Sequence, residues 1–246
     1  MNLCFLLMAL WCSDAAGGPL VEVAGLGLRV ADPVRAEQFL VQALLFKRHE
    51  SSGSEVVLER DGVLVVLVAD RNRGADRHDT IYLNFSVPDL KAATRACLEK
   101  GGELMNEAPM MSQIGPFNGI RIPGSKQRIH LMQIEGMTVP EGVFNVSMRV
   151  SDMALEENFY KTLGILPFSR DYLPETLPFL RSGPLGMVIH PLTAGQGARA
   201  AQCEILLTAE VATAKKMTWS RDQRFRSPSG YGFRLYSQGT TEASKK

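Results

Sequence analysis

The sequence reads as an α+β protein in which one strand–helix–strands unit is used repeatedly, and three observations predict this. Residues 28–46 (LRVADPVRAEQFLVQALLF) return about 120 positions later as residues 148–166 (MRVSDMALEENFYKTLGIL), and self-similarity at a fixed period marks a duplicated supersecondary unit. In both copies an apolar strand ends in Arg-Val, a small residue follows, and then Asp32 or Asp152 stands where an amphipathic helix begins. A carboxylate there accepts bonds from the free N–H groups of the first turn and meets the positive end of the helix dipole. A shorter echo lies between the copies, where residues 82–89 (YLNFSVPD) lead into a helix over 90–100 closed by Gly101-Gly102.

In the first unit, residues 21–30 form a strand with Gly25 and Gly27 inside it. Glycine within a strand marks a bulge or a close approach of backbones. The helix over 33–45 carries Pro33 at its first position, where a missing N–H costs nothing. Phe39, and Phe159 at the same offset in the later copy, fall about two turns in, on the face that must be buried. Short strands follow over 46–50, 55–60 and 63–69, with Asp61-Gly62 as a hairpin turn. Residues 63–68 are an unbroken apolar run, which predicts a strand buried on both faces.

A polar linker over 71–79 leads to the second unit: a strand over 80–87, a helix over 89–100, a methionine-rich irregular stretch over 103–111, and strands over 119–122 and 127–134 around Pro123-Gly124-Ser125. Residues 136–142 (GMTVPEG) separate two halves. The third unit has a strand over 143–150, a helix over 152–163 ending at Gly164, and strands over 177–181 and 186–190. The fourth is shortened to a strand over 202–208, a helix over 209–217 and a closing strand over 231–237 after the turn Ser227-Pro228-Ser229-Gly230. The expected organisation is therefore a leader over 1–16, a first half of two units over 17–135, a second half of one full and one shortened unit over 143–238, and a disordered tail over 239–246.

A hydrophobic content of 45% with 22% charged residues suits a soluble globular chain with one large core or two smaller ones. The formal net charge of +1 gives no electrostatic reason to expect nucleic acid or an anionic membrane. The basic run over 215–226, with Trp219 and Phe225, then reads as solvated surface. Cys4, Cys12, Cys97 and Cys203 have neither metal-ligand spacing nor the density of a disulfide framework.

The apolar run over residues 3–11 is too short to span a bilayer. Small residues over 13–16 suit signal cleavage, but no Lys or Arg precedes the run. The leader is either a secretory signal or an apolar segment packed on the domain. The chain is correspondingly secreted or periplasmic, or else cytoplasmic. The sequons at Asn84 and Asn145 lie inside strands expected to be buried and make poor glycosylation acceptors.

A strand ending in (L/M)RV-x-D, a helix containing Phe159-Tyr160, and then Leu163-Gly164 resemble the vicinal oxygen chelate superfamily, which includes glyoxalase I, extradiol dioxygenases and the fosfomycin- and bleomycin-resistance proteins. Residues 87–102, ending in EKGGE, are similar to that family's second unit, and residues 227–231 (SPSGY) to its turn before the last strand. The resemblance covers about residues 21–237. It implies βαβββ units pairing into cupped, partly closed mixed sheets, with the fourth unit shortened. In metal-dependent members the ligands come from the first and last strands of two paired units, where inward-facing positions converge on a divalent ion such as Fe, Mn, Ni or Zn.

Laid on that pattern, the first-strand positions are Gly25, Tyr82, Asn145 and Glu204, and the last-strand positions are Val66, His130, His190 and Arg234. Consecutive pairing groups Gly25, Val66, Tyr82 and His130 in one cup and Asn145, His190, Glu204 and Arg234 in the other. The alternative pairing brings His130 and His190 together with Tyr82 and Asn145. Neither gives an intact set of two histidines with one or two carboxylates.

Three functions follow as expectations. The first is a protein with a degenerate metal site that binds or transforms a small polar-aromatic molecule in a cup presenting Tyr82, His130, Asn145 and His190, or Glu204 with Arg234. The second is a divalent-metal-dependent lyase or dioxygenase with His130 and His190 on the ion and Glu204 as the catalytic carboxylate. The third is a scaffold without a ligand. In each case the chain is expected to be a monomer or a homodimer. Each residue also has a structural reading: the histidines as hydrogen-bonded cavity residues, Tyr82 as a plug, and Glu204 as a salt-bridge partner of Arg234. Met105, Met110, Met111 and Met132 either line an apolar pocket or fill core gaps.

Overall fold

The computed structural model describes residues 21–49, 55–70, 81–135, 141–167, 179–192, 203–209 and 223–236. The leader, the polar linker, the tail and the helix expected over 209–217 lie outside these residues, apart from Ala209. The first unit comprises β1 (Glu22–Val30), α1 (Pro33–Leu44), β2 (Lys47–Arg48), β3 (Glu55–Arg60) and β4 (Val63–Ala69). The second comprises β5 (Ile81–Ser86), α2 (Leu90–Glu99), β6 (Glu103–Leu104), β7 (Met110–Ser112), β8 (Gly115–Arg121) and β9 (Arg128–Met132). The third comprises β10 (Gly142–Val150), α3 (Met153–Thr162), β11 (Leu166–Pro167), β12 (Phe179–Arg181) and β13 (Gly186–Pro191). The fourth contributes β14 (Cys203–Thr208), β15 (Arg224–Arg226) and β16 (Gly232–Leu235).

The helices start where the sequence places them. Asp32, Asp89 and Asp152 each accept a bond from the backbone N–H three residues on, at 3.0, 2.9 and 2.9 Å. Each of these aspartates has extended backbone, as a capping residue does. The turn between β3 and β4 has Asp61 and Gly62 at φ 56° and 78°, the two positive values that match a hairpin turn to strand twist.

Pairing crosses the two sequence halves. Units one and four form a seven-stranded sheet, β15-β16-β14-β1-β4-β3-β2. Units two and three form a nine-stranded sheet, β11-β12-β13-β10-β5-β9-β8-β6, with β7 added beside β8. In each sheet the first strands of the two units meet antiparallel, β1 with β14 and β10 with β5, while each first strand runs parallel to the last strand of its own unit. Neither sheet closes on itself.

One continuous apolar cluster fills the helix side of both sheets, with Leu26, Leu28, Val65, Leu67, Ile205 and Phe233 from one, and Ile81, Leu83, Ile129, Leu131, Val146, Met148 and Ile189 from the other. Phe39 is buried as expected, but in α3 the fully buried aromatic is Tyr160 and Phe159 is half-buried. Phe159 instead packs edge-on against Phe233, at 5.7 Å between centroids.

Glu156, on the same helix, is fully buried. Its Oε1 accepts the Tyr160 hydroxyl at 2.7 Å and its Oε2 accepts the Ser229 N–H at 2.9 Å. Ser229 lies in the turn before β16, so this carboxylate ties α3 to the strands of the other sheet. Glu156→Ala takes the main acceptor from an enclosed hydroxyl and should cost about 3 kcal/mol. Glu156→Gln keeps an acceptor and should cost about 1 kcal/mol. Urea unfolding checks both, with a lower midpoint and an unchanged slope.

Candidate functional site

Side chains alternate across a strand, so residues between the core positions face the other side of each sheet. On the seven-stranded sheet that side is filled by Ala24, Val57, Leu64, Val66 and Leu206. Gly25 leaves no room there for a side chain, because a Cβ would stand 1.8 Å from the Leu64 carbonyl oxygen. Arg234 holds Glu55 in a two-pronged pair at 2.7 and 3.1 Å. Glu204 pairs with Arg224 at 3.0 Å and faces Arg29 at 3.8 Å. The expected Glu204–Arg234 ion pair is thereby corrected: β15 and β3 supply nearer charges of opposite sign, and each residue is taken by them. These two residues lie on one sheet, whereas Tyr82, His130, Asn145 and His190 lie on the other, so the structure does not bring Glu204 to the histidines.

The nine-stranded sheet differs on the same side. Between the core positions of β5, β9, β10 and β13 stand Tyr82, Asn84 and Ser86, then Arg128, His130 and Met132, then Asn145, Ser147 and Arg149, then Val188 and His190. Cα pairing sets Asn84 beside both Asn145 and His130, and Arg149 beside His190. A chain of bonds follows. Asn84 Nδ2 donates to Asn145 Oδ1 at 2.5 Å and to Ser147 Oγ at 2.8 Å. Ser147 Oγ lies 3.3 Å from His190 Nε2. Because Ser147 already accepts from Asn84, its own proton is available to that nitrogen.

The ring of His130 sits between Tyr82 and Phe117, at 4.0 and 4.9 Å between centroids. The Arg128 guanidinium lies 4.7 Å above the Tyr82 ring, a cation–π distance. Tyr82, Asn84, His130, Asn145 and Ser147 are all buried. Even so, among the described residues His130 Nε2 and Asn84 Oδ1 have no hydrogen-bond partner. A buried acceptor or donor left unpaired costs about 1–3 kcal/mol, a cost that a bound ligand or water removes.

Burial, and then the charges of Arg128 and Arg149, hold His130 down at about 3. Burial and then Arg149 hold His190 at about 4. Both imidazoles are therefore neutral near pH 7. Burial pushes the Cys97 thiol up to about 12, which makes it a poor nucleophile. It lines an apolar cleft of about 280 Å³ beside α2, on the helix side of the sheet. Met110 and Met111 are exposed, and Met132 alone of the four methionines is buried, on the polar side. His49 is exposed beside Glu59, and His78 lies outside the described residues.

No family model and no curated protein match the chain. Solved structures do. Glyoxalase I from Zea mays aligns with a TM-score of 0.59 at 16% identity, over 87% of this chain and 92% of that one. A mutant of that enzyme reaches 0.64 at 15% identity over the same shares. A candidate dioxygenase from Bacillus subtilis reaches 0.61 at 8% identity, over 91% of this chain and 87% of that one.

The chain has the vicinal oxygen chelate fold.

Within this vicinal oxygen chelate fold, the resemblance implies a divalent ion at first- and last-strand positions, here Tyr82, His130, Asn145 and His190. The described side chains there do not fit one. Among the described residues no group of three His, Cys, Asp or Glu side chains is placed to hold a metal. The four strands around the histidines carry Arg128 and Arg149 and no carboxylate, so none of them offers an anionic oxygen to a dication. Among the described residues no helix is long and apolar enough to cross a membrane.

Sequence reasoning passed over Asn84, Ser147, Arg128, Arg149 and Phe117. For all but Phe117 the signal was available as period-two alternation of polar with apolar residues in IYLNFS, RIHLM and NVSMRV.

Proposed function

We propose that the chain binds a small molecule on the polar side of the nine-stranded sheet, with Tyr82, His130, Asn145 and His190 in the site and no divalent ion in it. One observation carries this reading: His130 Nε2 and Asn84 Oδ1 are buried on the same side of adjacent strands without partners among the described residues. The seven-stranded sheet, by contrast, fills the corresponding side with Leu64, Val66 and Leu206. Binding is favoured over catalysis because an imidazole held at about 3 is a weak base near neutral pH, where general bases work best with a pKa close to 7. Glu204 is committed to Arg224 and Arg29 on the other sheet.

The test is a thermal-shift screen of small polar-aromatic compounds, with EDTA and then with added Mn, Ni or Zn. Compounds should raise the melting temperature equally in both conditions, through binding to the native state alone. Asn84→Leu should abolish the shift. A stoichiometric ion that stabilises the protein by itself, and is lost when both His130 and His190 are changed, would overturn this in favour of the metal-dependent lyase or dioxygenase.

A further inference from the structure

The apolar cleft beside α2 lies on the helix side of the nine-stranded sheet and is independent of the polar side. Residues from the end of α1, from α2, and from β5 and β9 enclose about 280 Å³. Its floor is Phe85, Leu131 and Cys97, all buried. Its walls carry small side chains, Ala43 from α1 and Ala92, Ala93 and Ala96 from α2. The charged groups at its edge have partners within the chain. Arg60 donates to the Leu44 carbonyl at 2.7 Å and meets Asp61 at 3.2 Å and Glu141 at 3.9 Å. Asp89 is engaged as the cap of α2, accepting the Ala92 N–H at 2.9 Å.

Leu45, the residue that follows α1, also lines the cleft and is 62% exposed. Its backbone is left-handed, with φ 55° and ψ 28°. Gly101 and Gly164 hold the same place after α2 and α3, at φ 85° and 76°. In all three the next residue donates its N–H to an equivalent carbonyl: Phe46 to Leu40, Gly102 to Cys97 and Ile165 to Tyr160. Left-handed backbone strains a residue with a Cβ and leaves glycine unstrained. The first unit therefore keeps a strained, water-exposed leucine where two other units use glycine. Strain of this kind gathers at ligand clamps, and here it holds an apolar side chain at the edge of an apolar cleft. We propose that the cleft binds a small, uncharged, apolar molecule of one-ring size, with Leu45 packed against it. An apolar cavity of about 150 Å³ is enough for benzene, so the space takes one ring with a short substituent. An ionic ligand would give up its hydration for edge charges that are already paired.

Methyl NMR of the full chain with isotope-labelled alanine tests this, with toluene as the probe. Toluene should move the methyls of Ala43, Ala92, Ala93 and Ala96 saturably and leave those of Ala24 and Ala36 in place. Benzoate, the same ring with a charge, should bind at least about tenfold more weakly than toluene. Ala93→Leu and Ala96→Leu put bulk into the cleft and keep a good helix former in α2. Each should weaken toluene at least about tenfold. Leu45→Gly should melt no lower than wild type and yet bind toluene about threefold more weakly, whereas a leucine with a structural role alone would change only the melt. Circular-dichroism melts identify any variant that fails to fold, and the wild-type shifts then decide. No saturable shift at the four alanines, toluene binding unaffected by both alanine variants, or benzoate bound as tightly as toluene would overturn the assignment. Toluene bound equally well by Leu45→Gly would overturn the part given to Leu45.

Discussion

Gly25→Ala is expected to leave the chain unable to hold its seven-stranded sheet. Gly25 lies in β1, which pairs with β14 on one side and β4 on the other. A Cβ at this position would meet the Leu64 carbonyl oxygen at 1.8 Å, its carbon at 2.6 Å and its amide nitrogen at 2.8 Å. All three atoms are backbone, so no rotamer change relieves the clash, and β1 and β4 must separate. A register shift in the pairing with β14 falls between Val23 and Gly25. A cost of about 4 kcal/mol or more follows, a large part of a domain's stability. Gly27, two residues on, is the control, since its Cβ would meet nothing nearer than 3.5 Å. Gly27→Ala should change stability by no more than about 0.5 kcal/mol. Soluble yield and urea midpoint separate the two variants, and a Gly25→Ala protein as stable as wild type would contradict the close packing of β1 on β4.

The second large effect is acid destabilisation centred on the polar side of the nine-stranded sheet. His130 and His190 titrate at about 3 and about 4 in the folded protein, against about 6.5 when unfolded. Below pH 6.5 the unfolded chain takes up protons that the folded chain refuses, so stability falls as pH falls and levels off only below the folded values. Above pH 6.5 these two residues contribute no pH dependence. Arg128, Arg149, Tyr82, Phe117, Asn84 and Ser147 face or adjoin the imidazoles, and none supplies a negative charge to stabilise a protonated ring. Each imidazole contributes about 1.4 kcal/mol per pH unit. Between pH 6.5 and pH 5, where most carboxylates stay ionised, the pair should therefore remove about 3–4 kcal/mol. Urea unfolding at several pH values measures this, and the His130→Gln, His190→Gln double variant should flatten the profile. A wild-type profile already flat over that range would show the rings to be charged or solvated.

Much of the fold was legible because it rests on local chemistry. Asp32, Asp89 and Asp152 announced helix starts, Asp61-Gly62 a hairpin, and the recurrence of LRV-x-D a repeated unit. Pairing order was not legible. Whether β1 meets β5 or β14 depends on contacts between residues about 180 positions apart in the chain, such as Gly27 with Glu204, and the local pattern is the same in either case. The site was half legible. His130, His190, Tyr82 and Asn145 share one side because they hold equivalent places in paired units. Glu204 and Arg234 hold equivalent places in the other pair and so fall on the other sheet. Their partners, Arg224 for Glu204 and Glu55 for Arg234, come from strands whose neighbours only the pairing reveals. Asn84 had been visible as a sequon too buried to be glycosylated, and the same burial makes it the centre of the hydrogen-bond chain.

Amide and side-chain NMR of the full protein, recorded while small polar-aromatic fragments are added in the presence of EDTA, tests most directly where a ligand sits. Shifts are expected on β5, β9, β10 and β13, strongest at Asn84, His130, Asn145 and Ser147, with Gly25, Val66 and Leu206 unmoved. Shifts gathered on the seven-stranded sheet, or shifts on the histidines that appear only when a divalent ion is restored, would contradict it.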